Sequence, residues 1–208
     1  MNNQCKEKVY ISVDIEATGN SPVTSSCVMI GCVVFRIIDD ITTETLGNDW
    51  IIDKRRWCIR EIVGCPMNEC CKTEFWSKHD DVWKYIQENA LEPKFAMLSF
   101  TNWFVDLSKK YDIVFCARPM SYDWQWINCL YDEFGPADKP RLPFSGYCIS
   151  TLIKTFDMLC PKWDDIIKPQ LNIERFKMSH YADDDALYQA YMFVKTISWL
   201  KKNVTIKI

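Results

Sequence analysis

Two carboxylates stand two residues apart near the N-terminus, in the segment VDIEATG that covers residues 13–19. Residues 9–13 are rich in β-branched side chains, so Asp14 and Glu16 come at the end of a predicted β-strand. Alternation along a strand places residues two apart on one face, where their negative charges repel. A divalent cation between them would remove that repulsion. Taken alone, such a pair more often indicates a polar strand end that faces water.

Two further acidic segments open predicted helices, SYDW at residues 121–124 and HYADDDA at residues 180–186. Asp123 alone is typical of a helix N-cap, and aspartates in a first turn are favoured by the helix dipole. A single histidine at position 180 is by itself an incidental polar residue. The combination is more specific than its members, because residues at three element ends can converge at one edge of a sheet. The converging set would be Asp14, Glu16, Asp123, Asp185 and His180.

The elements that must position these side chains alternate in type along the chain. Hydrophobic patterns predict strands at residues 9–13, 27–38, 42–52, 111–117 and 147–149. They predict helices at residues 75–88, 93–110, 123–134, 151–159 and 182–201, with helix stops at Gly135-Pro136 and Pro161. Three successive strands followed by strand–helix units predict an α/β fold, a mixed five-stranded sheet flanked by helices with a ribonuclease H-like topology.

Length and composition indicate one domain over residues 1–208 and exclude wholesale disorder, since 48% of the residues are hydrophobic and 25% are charged. A net charge of −3 does not indicate nucleic-acid binding through bulk charge. The apolar stretch at residues 29–35 is too short to span a bilayer, and residues 1–8 show no secretory signal. We therefore expect an intracellular, cytoplasmic protein with no membrane partner.

The chain has 11 cysteines and no C-x-x-C pair. Without a secretory signal, buried free thiols are the favoured interpretation. A cluster in the sequence nevertheless leaves a structural zinc site open, although its spacing fits no standard zinc module. Its members are Cys58, Cys65, Cys70, Cys71 and His79.

The three acidic motifs together resemble those of the DEDDh 3′→5′ exonucleases, whose members include oligoribonuclease, ribonuclease T and proofreading exonuclease subunits. The matching patterns are D-x-E-x-T-G, then Y-D after a strand, then H-x-A-x-D-D-A at the last helix, over residues 8–200. The resemblance implies that four carboxylates hold two divalent ions, Mg²⁺ or Mn²⁺, and that His180 is the general base. Those carboxylates are Asp14, which bridges the ions, Glu16, Asp123 and Asp185.

The resemblance also implies substrate contacts. Ala17 and Thr18 would border the pocket for the terminal nucleotide. Relatives often carry His-Asn ahead of the second aspartate, where this chain has Arg118-Pro119, so Arg118 is expected either to hold a phosphate or to be solvated. Base stacking is expected from aromatic residues near the sheet edge, although most aromatic residues must be in the core. The candidates are Tyr122, Trp76, Trp124 and Trp126.

Tyr181, the residue after His180, is an alternative candidate for the general base. A sister class of exonucleases uses a tyrosine four residues before the final aspartate, and Tyr181 stands four residues before Asp185. Helical geometry alone favours Tyr181, because a four-residue offset keeps two side chains on one face. The complete H-x-A-x-D-D-A pattern and the near-neutral pKa of imidazole favour His180.

The function implied is a metal-dependent 3′→5′ exonuclease that releases nucleoside 5′-monophosphates from single-stranded ends, with RNA favoured over DNA. The expected partner is a single-stranded nucleic acid with a free 3′ end, and a homodimer is left open. The alternative from another class is a catalytically idle module that binds 3′ ends or a protein. Basic side chains at positions 54–56 are typical of solvated surface and could also follow a phosphate backbone.

Overall fold

The structure, a computed structural model, describes residues 6–39, 48–159 and 178–203. Its strands are β1 Glu7–Ala17, β2 Cys27–Phe35, β3 Ile51–Cys58, β4 Tyr111–Ala117 and β5 Tyr147–Cys148. Its α-helices are α1 Glu69–Glu74, α2 Asp80–Asn89, α3 Pro93–Lys110, α4 Met120–Phe134, α5 Ile149–Leu159 and α6 Ala182–Asn203. Short 3₁₀-helices cover Asn48–Trp50 and Trp76–Lys78.

The strands form one mixed sheet in the order β3-β2-β1-β4-β5. β1 pairs antiparallel with β2, and β2 pairs antiparallel with β3. On its other side β1 pairs parallel with β4, which pairs parallel with β5. This confirms the predicted five-stranded α/β architecture. Because β1 and β4 run in parallel, their carboxyl ends meet at the same edge of the sheet.

Alternating residues of β1 face two different helical layers. Val9, Ile11, Val13 and Ile15 are buried in one core together with residues of α3 and α4. On the opposite face, Tyr10 packs against the core that α5 and α6 form with Phe35. The even-numbered residues Asp14 and Glu16 therefore lie on the α6 side of the sheet.

The third strand lies later in the chain than the predicted span of residues 42–52. β3 begins at Ile51, and residues 40–47 lie outside the described residues. The prediction was wrong because it followed apolar residues, whereas β3 includes Lys54 and Arg56. These cations are accommodated in the strand because they pair with carboxylates of α6, a contact between elements far apart in sequence.

Most other elements begin or end within a few residues of the predicted positions. The predicted helix over residues 75–88 is broken at His79, so that a 3₁₀ turn precedes α2. The predicted fifth strand is shorter by one residue, because α5 already begins at Ile149. The predicted helix stop at Pro161 lies outside the described residues. Among the described helices, none is long and apolar enough to cross a membrane.

Candidate active site

Four acidic side chains from three elements meet at the carboxyl ends of β1 and β4. Asp14 and Glu16 come from β1, Asp123 from the first turn of α4 and Asp185 from the first turn of α6. All four are buried, with 8%, 8%, 3% and 1% of their surface exposed. The convergence predicted from the sequence is therefore present, and the carboxylates do not form a solvated strand end.

Hydrogen bonds hold three of the carboxylates in place. Asp123 Oδ1 accepts from the backbone N–H of Ile15, 3.1 Å away, which ties α4 to β1. Asp14 Oδ1 accepts from Gln189 Nε2 at 2.6 Å, one turn beyond Asp185 on α6. Asp185 accepts from two backbone N–H groups, those of Ser179 at 2.8 Å and His180 at 3.1 Å.

Burial raises the pKa of every carboxyl group in this cluster. The pKa of Asp14 lies well above its ordinary range because of burial and then because of the charges on Asp123, Glu16 and Asp185. Burial raises the pKa of Asp123 to about 7, and it also raises the pKa values of Glu16 and Asp185. The cluster is therefore an arrangement that favours a bound cation or protons over free negative charge.

The residues present fit a divalent metal site. Glu16, His180 and Asp185 each offer one ligand atom, and these atoms lie within 4.8 Å of one another. Buried carboxylate oxygens that raise one another's pKa are donors suited to Mg²⁺ or Mn²⁺, which would compensate their charge. Across residues 6–39, 48–159 and 178–203, no other group of three or more histidine, cysteine, aspartate or glutamate residues brings its ligand atoms so close together. The cysteine cluster at residues 58–71 does not come together as a metal site there, and its thiols are free.

A cavity of about 410 Å³ opens over the carboxylates. Its walls come from the end of β1, the start of α4, the loop before α6 and the segment around α1, which covers residues 68–76. Among the residues named from the sequence, those that line it are Asp14, Glu16, Ala17, Arg118, Tyr122, Asp123 and His180. The space over the acidic groups is thus open to a ligand, and both Arg118 and Tyr122 reach it.

Thr18 does not present a free side chain to this cavity. The residue is fully buried, and its hydroxyl donates to the Ser26 carbonyl oxygen at 3.3 Å and accepts from the Ser26 N–H at 2.8 Å. Thr18 therefore joins the end of β1 to the segment before β2, behind the cavity wall. Of these two neighbouring residues, Ala17 is the one that lines the cavity.

The tryptophans expected to stack on bases are interior residues. Trp76, Trp124 and Trp126 are buried, with at most 9% of their surface exposed. Trp76 donates its indole N–H to the Ala17 carbonyl oxygen at 3.2 Å, which fastens the segment around α1 to the end of β1. Their stacking role was wrongly predicted because aromatic composition does not distinguish core from surface. Tyr122 is the one of the four candidates that lines the cavity.

His180 and Tyr181 point to different surroundings. α6 begins at Ala182, so His180 belongs to the preceding loop and helical spacing does not apply to it. The His180 Nδ1 atom lies 3.5 Å from Glu16 Oε1, and this contact raises the pKa of His180. The ring of Tyr181 instead packs edge-on against Tyr85.

Comparisons with known proteins bear on the fold. No protein-family model matches the sequence, and no curated protein matches it. Solved structures do match. The nuclease domain of 3′hExo, a DEDDh family member bound to rAMP, is 16% identical with a TM-score of 0.56, over 99% of this chain and 97% of that domain. The chain has a ribonuclease H-like fold.

Two further structures share this fold. S. pombe Pop2p, in a form with Mg²⁺ and Mn²⁺ bound, is 16% identical with a TM-score of 0.62, over 95% of this chain and 86% of that one. A full-length 3′-exonuclease is 14% identical with a TM-score of 0.59, over 94% of this chain and 63% of that one. At these identities, the likeness concerns the ribonuclease H-like fold alone.

One wall of the cavity was missed from the sequence. Asn68, Glu74 and Phe75 of the segment around α1 line it, as does Met178 before α6. The Phe75 ring lies 4.8 Å from the His180 ring, and the His79 ring lies 4.0 Å from it. Gln189 was also missed. Its position four residues after Asp185, on the same helical face, is the one signal that could have indicated it.

Proposed function

We propose that this protein is a metal-dependent 3′→5′ exonuclease that releases nucleoside 5′-monophosphates from single-stranded nucleic acid, with RNA favoured over DNA. One observation carries the proposal. On a ribonuclease H-like fold, Asp14, Glu16, Asp123 and His180 line an open cavity, and Asp185 lies buried beside Glu16 and His180. The comparison structures support it, since one is a nuclease domain bound to rAMP and another has Mg²⁺ and Mn²⁺ bound.

Asp14, Glu16, Asp123 and Asp185 would hold two divalent cations, Mg²⁺ or Mn²⁺. Two such cations, when bound, stabilise the attacking and leaving oxygens of an in-line displacement at phosphorus. The protein's own contribution is to bury the carboxylates and fix them from three elements. Burial and then the mutual repulsion of these groups raise the pKa of Asp14, and bound positive charge would compensate both effects.

His180 would act as the general base. It lines the cavity beside Glu16, where its imidazole can take a proton from water. The water oxygen bonds to phosphorus and the P–O3′ bond breaks. The released nucleotide keeps a 5′-phosphate, and the 3′ oxygen of the shortened chain takes a proton from solvent. Glu16 favours the protonated imidazole that forms in this step.

The cavity walls would orient the end of the chain. Arg118 lies at the rim, where a guanidinium can hold a phosphate group of the substrate. Tyr122 presents an aromatic ring to the same cavity, where a base can stack. A free 3′ hydroxyl is required on this proposal, because an added 3′-phosphate would bring further negative charge to the carboxylates.

The test uses matched RNA and DNA oligonucleotides labelled at the 5′ end, with Mg²⁺ or Mn²⁺ and with chelator. We expect stepwise shortening from the 3′ end, faster on RNA, with nucleoside 5′-monophosphates identified by mass. Asp14→Ala should abolish shortening. Asp112→Ala removes an exposed carboxylate paired with Lys8 at the opposite end of the sheet, and should leave the rate unchanged.

Three results would contradict the proposal. If Asp14→Ala shortened oligonucleotides at a rate near that of the wild type, the metal-dependent mechanism would be wrong. Rapid cleavage of a circular single strand would indicate an endonuclease. Binding of 3′ ends without any release of nucleotides would indicate the catalytically idle module.

A further inference from the structure

Three consecutive aspartates open α6, and they face two different parts of the sheet. Asp185 joins the acidic cluster beside Glu16. Asp183 and Asp184 instead pair with cations of β3. Lys54 Nζ lies 3.0 Å from Asp183 Oδ2, and Arg56 donates its Nε–H to Asp183 Oδ1. The first turn of α6 is therefore held on β3 by two carboxylates while it delivers a third to the site.

The start of α6 crosses the sheet at a single row of residues. In this row Asp14 of β1 stands opposite Gly31 of β2, and Gly31 stands opposite Arg56 of β3. The backbone of Ala182 and Asp183 lies directly on Gly31, so closely that a Cβ atom there would be 2.0 Å from the Ala182 carbonyl carbon. A side chain at position 31 would push α6 away from both Asp14 and Arg56.

Arg56 contacts the residues on both sides of Ala182, which begins α6. Its guanidinium carbon lies 4.4 Å from the ring centre of Tyr181, immediately before α6, and 5.1 Å from that of Tyr85. Its Nε–H donates to Asp183, immediately after Ala182. Both the cation–π contact and the charged hydrogen bond depend on the planar shape of this side chain.

The loop that carries His180 needs such support. His180 has φ 59°, in the left-handed region that residues other than glycine rarely adopt. Its N–H donates to Asp185 Oδ2, and the Ser179 N–H donates to Asp185 Oδ1. The loop is thus closed on the first turn of α6, so any displacement of that turn displaces His180 and Asp185 together.

We propose that Arg56 is a positioning residue, which holds the first turn of α6 on the sheet and thereby sets His180 and Asp185 against Asp14 and Glu16. The consequence for turnover rests on the exonuclease function proposed above. The consequence for the loop does not, because it concerns the geometry of the protein alone.

The kinetic test compares Arg56→Gln with Arg55→Gln. Arg55 carries the same charge on the same strand, but it pairs with Asp53 on the α3 side of the sheet. We expect Arg56→Gln to lower kcat by up to about a hundredfold with little change in KM, because small misplacements of catalytic groups have effects of that size. Arg55→Gln should match the wild type, and Arg56→Lys should recover part of kcat. Equal kcat for Arg56→Gln and the wild type would overturn the proposal.

A double variant separates positioning from the burial of an incompletely paired charge. Arg56→Gln leaves the charge of the buried Asp183 with Lys54 as its remaining partner, and the loss of the guanidinium can impair folding by itself. Arg56→Gln combined with Asp183→Asn removes that charge. The double variant should fold and still show a lowered kcat, because α6 is no longer fastened at this point. Full recovery of kcat in the double variant would contradict a positioning role.

A spectroscopic test needs no catalysis. The chain has two histidines, so selective ¹³C labelling gives two side-chain signals, and a His79→Gln variant assigns them. The His180 ring lies edge-on to Phe75, whose ring current displaces its signal. In metal-free protein, Arg56→Gln should move the His180 signal and Arg55→Gln should not. An unmoved signal in Arg56→Gln would refute the positioning role, even if the wild type cleaved no oligonucleotide.

Discussion

At the scale of single residues, the site depends on which of two adjacent side chains enters the cavity. His180 lines it beside Glu16, whereas the ring of Tyr181 is held between Tyr85 and the Arg56 guanidinium. An imidazole is suited to accept a proton from water, and the contact with Glu16 raises the pKa of His180 above its ordinary value. A phenol, with a pKa of about 10, could only orient water.

We predict different losses of rate for the two variants. His180→Ala should lower the rate of nucleotide release by about 10²–10⁴-fold, the usual contribution of a general base. Mn²⁺ should still bind, because the variant keeps all four carboxylates of the cluster. Tyr181→Phe should lose little, because the ring that packs against Tyr85 remains. Initial rates and Mn²⁺ titrations of both variants provide the measurement. The reverse ranking would place the base at Tyr181.

At the scale of elements, the decisive contact is that of α6 with β2. The helix brings Asp185 and Gln189 to the acidic cluster only because its first turn lies directly on Gly31. β2 is buried along its whole length, so neither the strand nor the helix start can move aside without disturbing the core.

Gly31→Ala should therefore impair both stability and activity. The added Cβ would lie 2.0–2.2 Å from backbone atoms of Ala182 and Asp183, where no side-chain rotation can relieve the contact. We expect the free energy of unfolding, measured in urea, to fall by about 1–3 kcal/mol, as in other overpacked cores. Nucleotide release should fall as well, because His180 and Asp185 move with α6. Unchanged stability would show that the helix start yields to the side chain.

At the scale of the whole molecule, the acidic cluster opposes folding when no cation is bound. The pKa values of Asp14, Glu16, Asp123 and Asp185 are all raised in the folded protein, chiefly by burial. The folded protein therefore binds protons that the unfolded chain, with ordinary pKa values of about 4, has already released. That contribution to stability is complete below the unfolded pKa and is lost as pH rises through the folded pKa, which is about 7 for Asp123.

We predict that the Tm of metal-free protein decreases from pH 5 to pH 8. The raised pKa of His180 acts in the same direction, because a proton bound in the folded state is lost as pH rises. Mg²⁺ or Mn²⁺ should raise Tm more at pH 8 than at pH 5. Asp14→Asn should raise the Tm of metal-free protein at pH 8 and flatten the profile. Thermal unfolding with chelator and with added metal would check this, and a Tm that rises with pH would contradict it.

The short-range pattern of the sequence determined the element types and the acidic side chains at their ends. Alternation placed Asp14 and Glu16 on one face of β1, and the position of Asp123 at the start of a helix after a strand indicated that it could join them at one edge of the sheet. These inferences succeed because strand and helix periodicity is local, and because the carboxyl ends of parallel strands share an edge.

The tertiary structure alone decided which side chains face the cavity and which support it. Arg56 lies in a strand that the hydrophobic pattern missed, since its partner Asp183 is far along the chain. Trp76 is buried and its neighbour Phe75 lines the cavity, but the composition of the segment does not show which of the two faces the cavity. These outcomes depend on contacts between elements that are distant in the sequence. Such contacts contribute to stability only after the sheet and α6 have come together.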